Sequence, residues 1–188
     1  NDLAAARDGE VLFSGLDLTI YRGEEVAFVG KSGLPAEALF KILQNEMEPS
    51  AGTFRWGVTT ARGFLPKESA SYFQEPLTLI HWLRQYARND AERDEEFVRG
   101  FLGKMLFTGE EATKKANVLS GGEKVRCMFA RMMMMRPNVL VLNEPTNHLD
   151  LESITALNNG LIDYKGTILF TSQDREFVNT VASRIIEI

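Results

Sequence analysis

Cysteine is almost missing from this chain: Cys127 is the only one in 188 residues. No disulfide can close within it, and such usage favours a reducing, cytoplasmic compartment. Histidine is limited to His81 and His148, and no group of residues has the spacing of a metal centre. No stretch approaches the roughly 20 apolar residues that a membrane-spanning helix needs. Asn1 to Arg7 lacks the basic-then-apolar build of a signal peptide. Positive charge is not in excess either. With 21 Lys and Arg against 26 Asp and Glu, the net charge is −5, which gives the domain no electrostatic reason to coat nucleic acid by itself. Internal repeats and low-complexity linkers are absent as well.

What is present fits a soluble globular chain. Hydrophobic residues make up 44% and charged residues 25%, enough for one domain with a sizeable core, or for one domain with a small subdomain. The run Met132 to Met135 reads as a buried helix face, because thioether side chains fill irregular gaps. Cys127 falls in the same helix and reads as inert, and His81 reads as a surface or core-edge residue.

Hydrophobic periodicity predicts strands at Val11–Phe13, Leu16–Ile20, Glu25–Val29, Thr53–Trp56 and Arg62–Leu65. Leu39, Phe40, Ile42 and Leu43 recur at helical spacing, so a helix follows the loop Gly30 to Gly33. The middle of the chain reads as helical, over about 77–86 and 95–106, with a polar turn between. A third helix starts near Thr108, which has capping-box spacing to Glu111. Beyond Asn117 the pattern alternates again: a helix to Met135, a strand at Val139–Leu142, a helix at Leu151–Leu161, then strands at Thr167–Phe170 and Arg184–Ile188. Such alternation implies an α/β fold with a largely parallel sheet and ligands at the C-terminal ends of its strands.

Two segments carry chemistry. In Leu119-Ser120-Gly121-Gly122-Glu123, Ser120 and Glu123 have capping-box spacing, so Ser120 is expected to cap the following helix. The glycines leave backbone N–H groups bare at a positive helix end, which makes an anion cradle. In Val139-Leu140-Val141-Leu142-Asn143-Glu144-Pro145-Thr146-Asn147-His148-Leu149-Asp150, an apolar strand runs into a carboxylate and an abrupt turn. Glu144 is thereby placed at the sheet edge, where a base can orient a water against a phosphate.

Together these segments resemble ABC ATPases, and in particular the ABC-F branch of translation-associated members. The resemblance covers essentially the whole chain, including the Gly30 loop and Thr171-Ser172-Gln173-Asp174-Arg175. It implies a P-loop NTPase-like ABC cassette: a RecA-like parallel-sheet core, an N-terminal antiparallel β portion and a helical subdomain near residues 70–118. It also implies ATP and Mg²⁺ as cofactors, a second cassette as head-to-tail partner in a longer chain or dimer, and the ribosome as the place of action. His148 is implied to make a structural contact between cassettes. A transporter ATPase subunit and a catalytically inactive structural or regulatory cassette are the other readings.

The departures from the family pattern are as informative. Aligned on Gly30, the phosphate loop reads Gly30-Lys31-Ser32-Gly33-Leu34-Pro35-Ala36-Glu37-Ala38. Ala36 stands at the phosphate-binding lysine and Glu37 at the Mg²⁺-binding hydroxyl. Asn143 stands at the Walker B aspartate, which is the other Mg²⁺ position, Gln173 at the switch histidine and Lys67 at the Q-loop glutamine. The aromatic that stacks on adenine is not evident in Ala4 to Gly9. Glu144, Asp150 and the segment Ser120 to Glu123 are retained. The substitutions remove a cation, add an anion and weaken a metal shell, so hydrolysis is expected to fall towards background. With Pro35 at the first helical position and Glu37 at about the third, the loop reads as a self-capped helix start. Lys31 reads as a solvated charge.

Overall fold

Short apolar runs bounded by glycine or polar turns become strands here, and the three most buried of them, Glu25–Val29, Val139–Asn143 and Thr167–Thr171, form the centre of one parallel sheet. The computed structural model describes residues 1–66, 69–147 and 149–188; Lys67 and His148 lie outside them. The chain divides into two compact units, one comprising Asn1–Phe64, Asn138–Pro145 and Lys165–Ile188, the other Leu65–Pro137 and Thr146–Tyr164.

The first unit opens with an antiparallel pair, β1 (Leu3–Arg7) and β2 (Glu10–Leu16). Then follow β3 (Glu25–Val29), helix α1 (Leu34–Leu43), β4 (Arg62–Phe64), β5 (Val139–Asn143), β6 (Thr167–Thr171), α6 (Arg175–Val181) and β7 (Arg184–Glu187). The parallel sheet has the order β4-β5-β6-β3-β7. Val139–Leu142 therefore lies inside the sheet, as its unbroken apolar run predicts. One core forms where Val26 and Phe28 of β3 meet Leu39, Phe40 and Ile42 of α1, with the Phe28 and Phe40 rings edge-to-face at 5.7 Å. Phe170 and Phe177 make a second such pair at 5.3 Å.

Three expectations need correction. Leu16–Ile20 is not a strand: the ladder with β1 ends at the pair Leu3 and Leu16, so Leu18 and Ile20 pack against the core without a backbone partner. Thr53–Trp56 is not one either. The chain touches β1 there through a single bridge, Ala4 to Ala51, while Phe54 and Trp56 pack on the core. Alternation reported a buried face in both segments, and pairing did not follow from it. At Thr108 the chain forms a 3₁₀ helix over Gly109–Thr113, and the Thr108 side chain makes no cap bond. Gly109 has φ +53°, a left-handed turn that prevents entry into an α-helix. In addition, β1 and α6 were not among the sequence expectations.

The second unit holds α2 (Leu79–Arg84), α3 (Glu95–Lys104), α4 (Gly121–Met135) and α5 (Leu151–Ile162). Trp82 stacks on Phe73 at 4.7 Å and donates its indole N–H to the Tyr72 carbonyl at 2.6 Å. The Arg131 guanidinium lies over Tyr86 at 4.5 Å and Tyr72 at 5.0 Å. Within the methionine run, Met132 and Met134 are buried and Met135 is exposed; Cys127 is fully buried, and burial pushes its thiol far up. Glu92 is buried beneath the Arg88 guanidinium, which binds both of its oxygens.

Candidate functional site

The sheet register sets the candidate site of the first unit. Thr171, the last residue of β6, pairs with Phe28 of β3 on one side and Asn143 of β5 on the other. The Gly30 loop, Asn143-Glu144 and Ser172-Gln173 therefore leave the sheet side by side at the C-terminal ends of its strands, where open α/β sheets hold ligands. The Thr171 hydroxyl donates to Asn143 Oδ1 at 2.7 Å and accepts the Glu144 N–H at 2.9 Å. That second bond holds Glu144 at φ +47°, a left-handed conformation costly for a residue with a Cβ. The Glu144 carboxylate accepts the Gln173 N–H at 3.3 Å. Burial pushes its pKa above the ordinary carboxylate range, with the Gln173 N–H opposing. Thr171 was missed in the sequence, where it reads only as the polar end of an apolar strand.

The phosphate-loop positions fall at the start of α1. Gly30 is required by close approach: a Cβ there would collide with the Ile188 carbonyl oxygen. Lys31, Ser32, Gly33 and Leu34 are exposed, while Ala36 and Ala38 are buried. The helix register differs from expectation by one residue. Gly33 is the N-cap, so Leu34 is the first helical residue, Pro35 the second and Glu37 the fourth. Glu37 does lie in the first turn, where a carboxylate favours the helix dipole; its carboxylate also reaches forward to Lys41 at 2.9 Å, and its N–H donates to the Gly33 carbonyl at 2.9 Å, since at the fourth position the backbone already has an intrahelical partner.

The second unit carries a candidate position of its own. Ser120 caps α4 with the full capping box: its Oγ accepts the Glu123 N–H at 3.3 Å, and Glu123 Oε2 accepts the Ser120 N–H at 2.8 Å. Gly121 and Gly122 form the first turn. They open onto a depression of about 370 Å³ also lined by Arg126, Asp150 and Ser153. Asp150 caps α5, accepting the Ser153 N–H at 2.8 Å, and its hydrogen bonds to Ser153 hold its carboxyl below the usual range. Arg126 and Ser153 were not singled out in the sequence; only their helical spacing from Glu123 and Asp150 pointed to them.

This parallel sheet, with a glycine loop entering a helix at its edge and a capped Ser-Gly-Gly helix start beside an Asp-capped one, defines an ATP-binding cassette. The family model described as ABC transporter matches residues 13–147, and the chain belongs to that family. It is 56% identical over 182 residues to the uncharacterized ABC transporter ATP-binding protein YkpA of Bacillus subtilis, covering 96% of this chain and 33% of that protein. It is 31% identical over 182 residues to ABC transporter F family member 5 of Arabidopsis thaliana, covering 96% of this chain and 26% of that protein. The chain thus spans a third or less of the length of these relatives. Among solved structures it resembles an ATP-binding subunit of an ABC transporter, with TM-score 0.81, 20% identity, and coverage of 100% of this chain and 83% of that one. It also resembles a dimeric, post-hydrolysis ATP-binding cassette bound to ADP and phosphate, with TM-score 0.73, 21% identity, and coverage of 100% and 92%. Both structural likenesses concern the fold.

Such cassettes take ATP with Mg²⁺, a hard cation that wants anionic oxygen ligands. The family resemblance assigns its two positions to Asn143 and Glu37. Asn143 is neutral and its oxygen accepts the Thr171 hydroxyl, and the Glu37 carboxylate is engaged with Lys41. No group of three or more His, Cys, Asp or Glu that could hold a metal occurs among the described residues. No helix among them is long and apolar enough to cross a membrane.

Proposed function

We propose that this chain is an ABC-F-type cassette whose own ATP site is impaired and whose signature segment serves a nucleotide held by a partner cassette. The reading rests on one contrast. At the sheet edge Ala36 offers no cation, Glu37 is paired with Lys41, and the Asn143 oxygen is occupied by Thr171. At the start of α4, Ser120, Gly121 and Gly122 keep a capped helix end open to a depression, where N–H groups and the helix dipole favour a phosphate.

The whole chain acts as a single nucleotide-binding domain with a helical subdomain near 70–118. Its functional residues are those of the Gly30 loop, Asn143, Glu144, Gln173 and Ser120 to Glu123. Similarity to an F-family member supports the ABC-F assignment, and with it cytoplasmic action at the ribosome. The relatives' greater length leaves room for a second cassette in the same protein.

Titration of the purified domain with a fluorescent ATP analogue and Mg²⁺ is the first test. Weak binding and negligible turnover are expected; a dissociation constant in the low micromolar range would overturn the impaired-site reading. For the signature segment, the domain is mixed with an intact-loop cassette whose own signature is blocked. Turnover should appear in the mixture and vanish with Gly122→Asp, which places a carboxylate where phosphate approaches. No gain from mixing would overturn the reading in trans.

A further inference from the structure

The signature helix carries a carboxylate at the end that is to receive an anion. Glu123 is the third residue of α4 and completes the capping box through Oε2. A polyphosphate approaching Ser120, Gly121 and Gly122 meets that negative charge at close range, which opposes the favourable helix dipole. The other carboxylate oxygen has a cation on it. Lys114 Nζ lies 3.0 Å from Glu123 Oε1 and 3.2 Å from Glu111 Oε1. The Lys114 backbone is itself fixed: it accepts the Leu79 N–H at 3.0 Å next to the bridge between Thr78 and Lys115.

Arg126, the cation that lines the depression, is engaged elsewhere. Arg126 donates through Nη1 to the Met105 carbonyl at 3.0 Å, and its guanidinium lies over Phe107 at 4.6 Å. Glu123 is thus held by Ser120 on one oxygen and by Lys114 on the other. Its electrostatics agree. Burial pushes the Glu123 carboxyl up, yet the Ser120 N–H and Lys114 together bring it below the ordinary range. Its pairing with Glu123 and Glu111 raises Lys114.

We infer that Lys114 is a positioning residue for the signature segment: it locks Glu123 in the rotamer that caps α4 and offsets its charge, so that the Ser120-Gly121-Gly122 cradle accepts a phosphate despite the adjacent carboxylate. The inference rests on the reading in trans and assigns the residue that makes a glutamate tolerable at this position. Lys114 touches no nucleotide in this scheme and acts through Glu123 alone.

The test uses the same mixture, this chain with an intact-loop cassette whose signature is blocked, and reads ATP turnover. Lys114→Met is expected to lower the supported rate about tenfold, the scale of one charge-assisted hydrogen bond. Lys114→Arg restores it. Within Glu123→Gln, which removes the charge to be offset, Lys114→Met changes nothing further. Thermal melting is little altered throughout, as expected for an ion pair whose lysine end is open to solvent. If the chain supports turnover and Lys114→Met leaves it unchanged, or lowers it equally within Glu123→Gln, the role of Lys114 is refuted and the reading in trans stands. If the unmodified chain supports no turnover, both fall together.

Discussion

Asn143 and Thr171 face each other across adjacent strands, and the Thr171 hydroxyl donates to Asn143 Oδ1 at 2.7 Å. The same hydroxyl accepts the Glu144 N–H, so one side chain sets the geometry at two neighbouring site positions. Thr171→Val keeps the shape of the side chain and removes both bonds. It should destabilise the domain by about 1–3 kcal/mol through unsatisfied buried groups, with Thr171→Ser recovering most of the loss. Urea midpoints of the three proteins measure this.

Gly30→Ala places a methyl group against the Ile188 carbonyl oxygen. Both partners are backbone, where Ile188 bonds to Val29 at 2.9 Å, so neither yields cheaply. A loss of about 1–3 kcal/mol is expected, visible as a lower melting temperature. No change would mean that the last residues move aside freely.

Ser120→Ala removes the oxygen that accepts the Glu123 N–H. An N-cap loss of this kind costs about 1 kcal/mol. Ser120→Asp should retain the cap and fold stably, yet fail to support a partner's turnover, because it adds an anion where phosphate approaches. Melting and mixed-pair turnover, measured together, separate the two roles of this residue.

Acid should loosen the second unit through Glu92. The hydrogen bonds from Arg88 hold its carboxyl down at about 2. A group whose pKa is depressed on folding contributes stability that is present above its unfolded pKa and is lost as pH falls through the folded one. The contribution is therefore complete near neutrality and disappears between about pH 4.5 and 2. Glu92→Gln should flatten the pH dependence of stability in that window and leave the neutral limb with the same slope.

If the ATP site is impaired as proposed, placing the family pattern at three positions, Ala36→Lys, Glu37→Thr and Asn143→Asp, should strengthen Mg²⁺-dependent ATP binding. One charge-assisted hydrogen bond contributes about 1.5–3 kcal/mol. The combined variant should therefore bind ATP·Mg²⁺ at least about tenfold more tightly than the parent. Unchanged affinity would show that these three positions do not limit binding.

The amino-acid sequence by itself determined the elements whose signal is local. Ser120 and Glu123 close a capping box wherever the helix sits, and Val139–Leu142, apolar at every position, is stable only inside a sheet. The departures read at Ala36, Glu37, Asn143 and Gln173 came from the resemblance to the family pattern, which supplies the residues to compare them with. Tertiary structure decided what depended on a distant partner. Leu18, Ile20, Phe54 and Trp56 show that alternating apolar residues mark a buried face, while a strand also requires a neighbouring backbone in register, which these lack. The bonds from Thr171 to Asn143 and from Lys114 to Glu123 join residues with no periodic relation. Only the folded chain brings their donors and acceptors together.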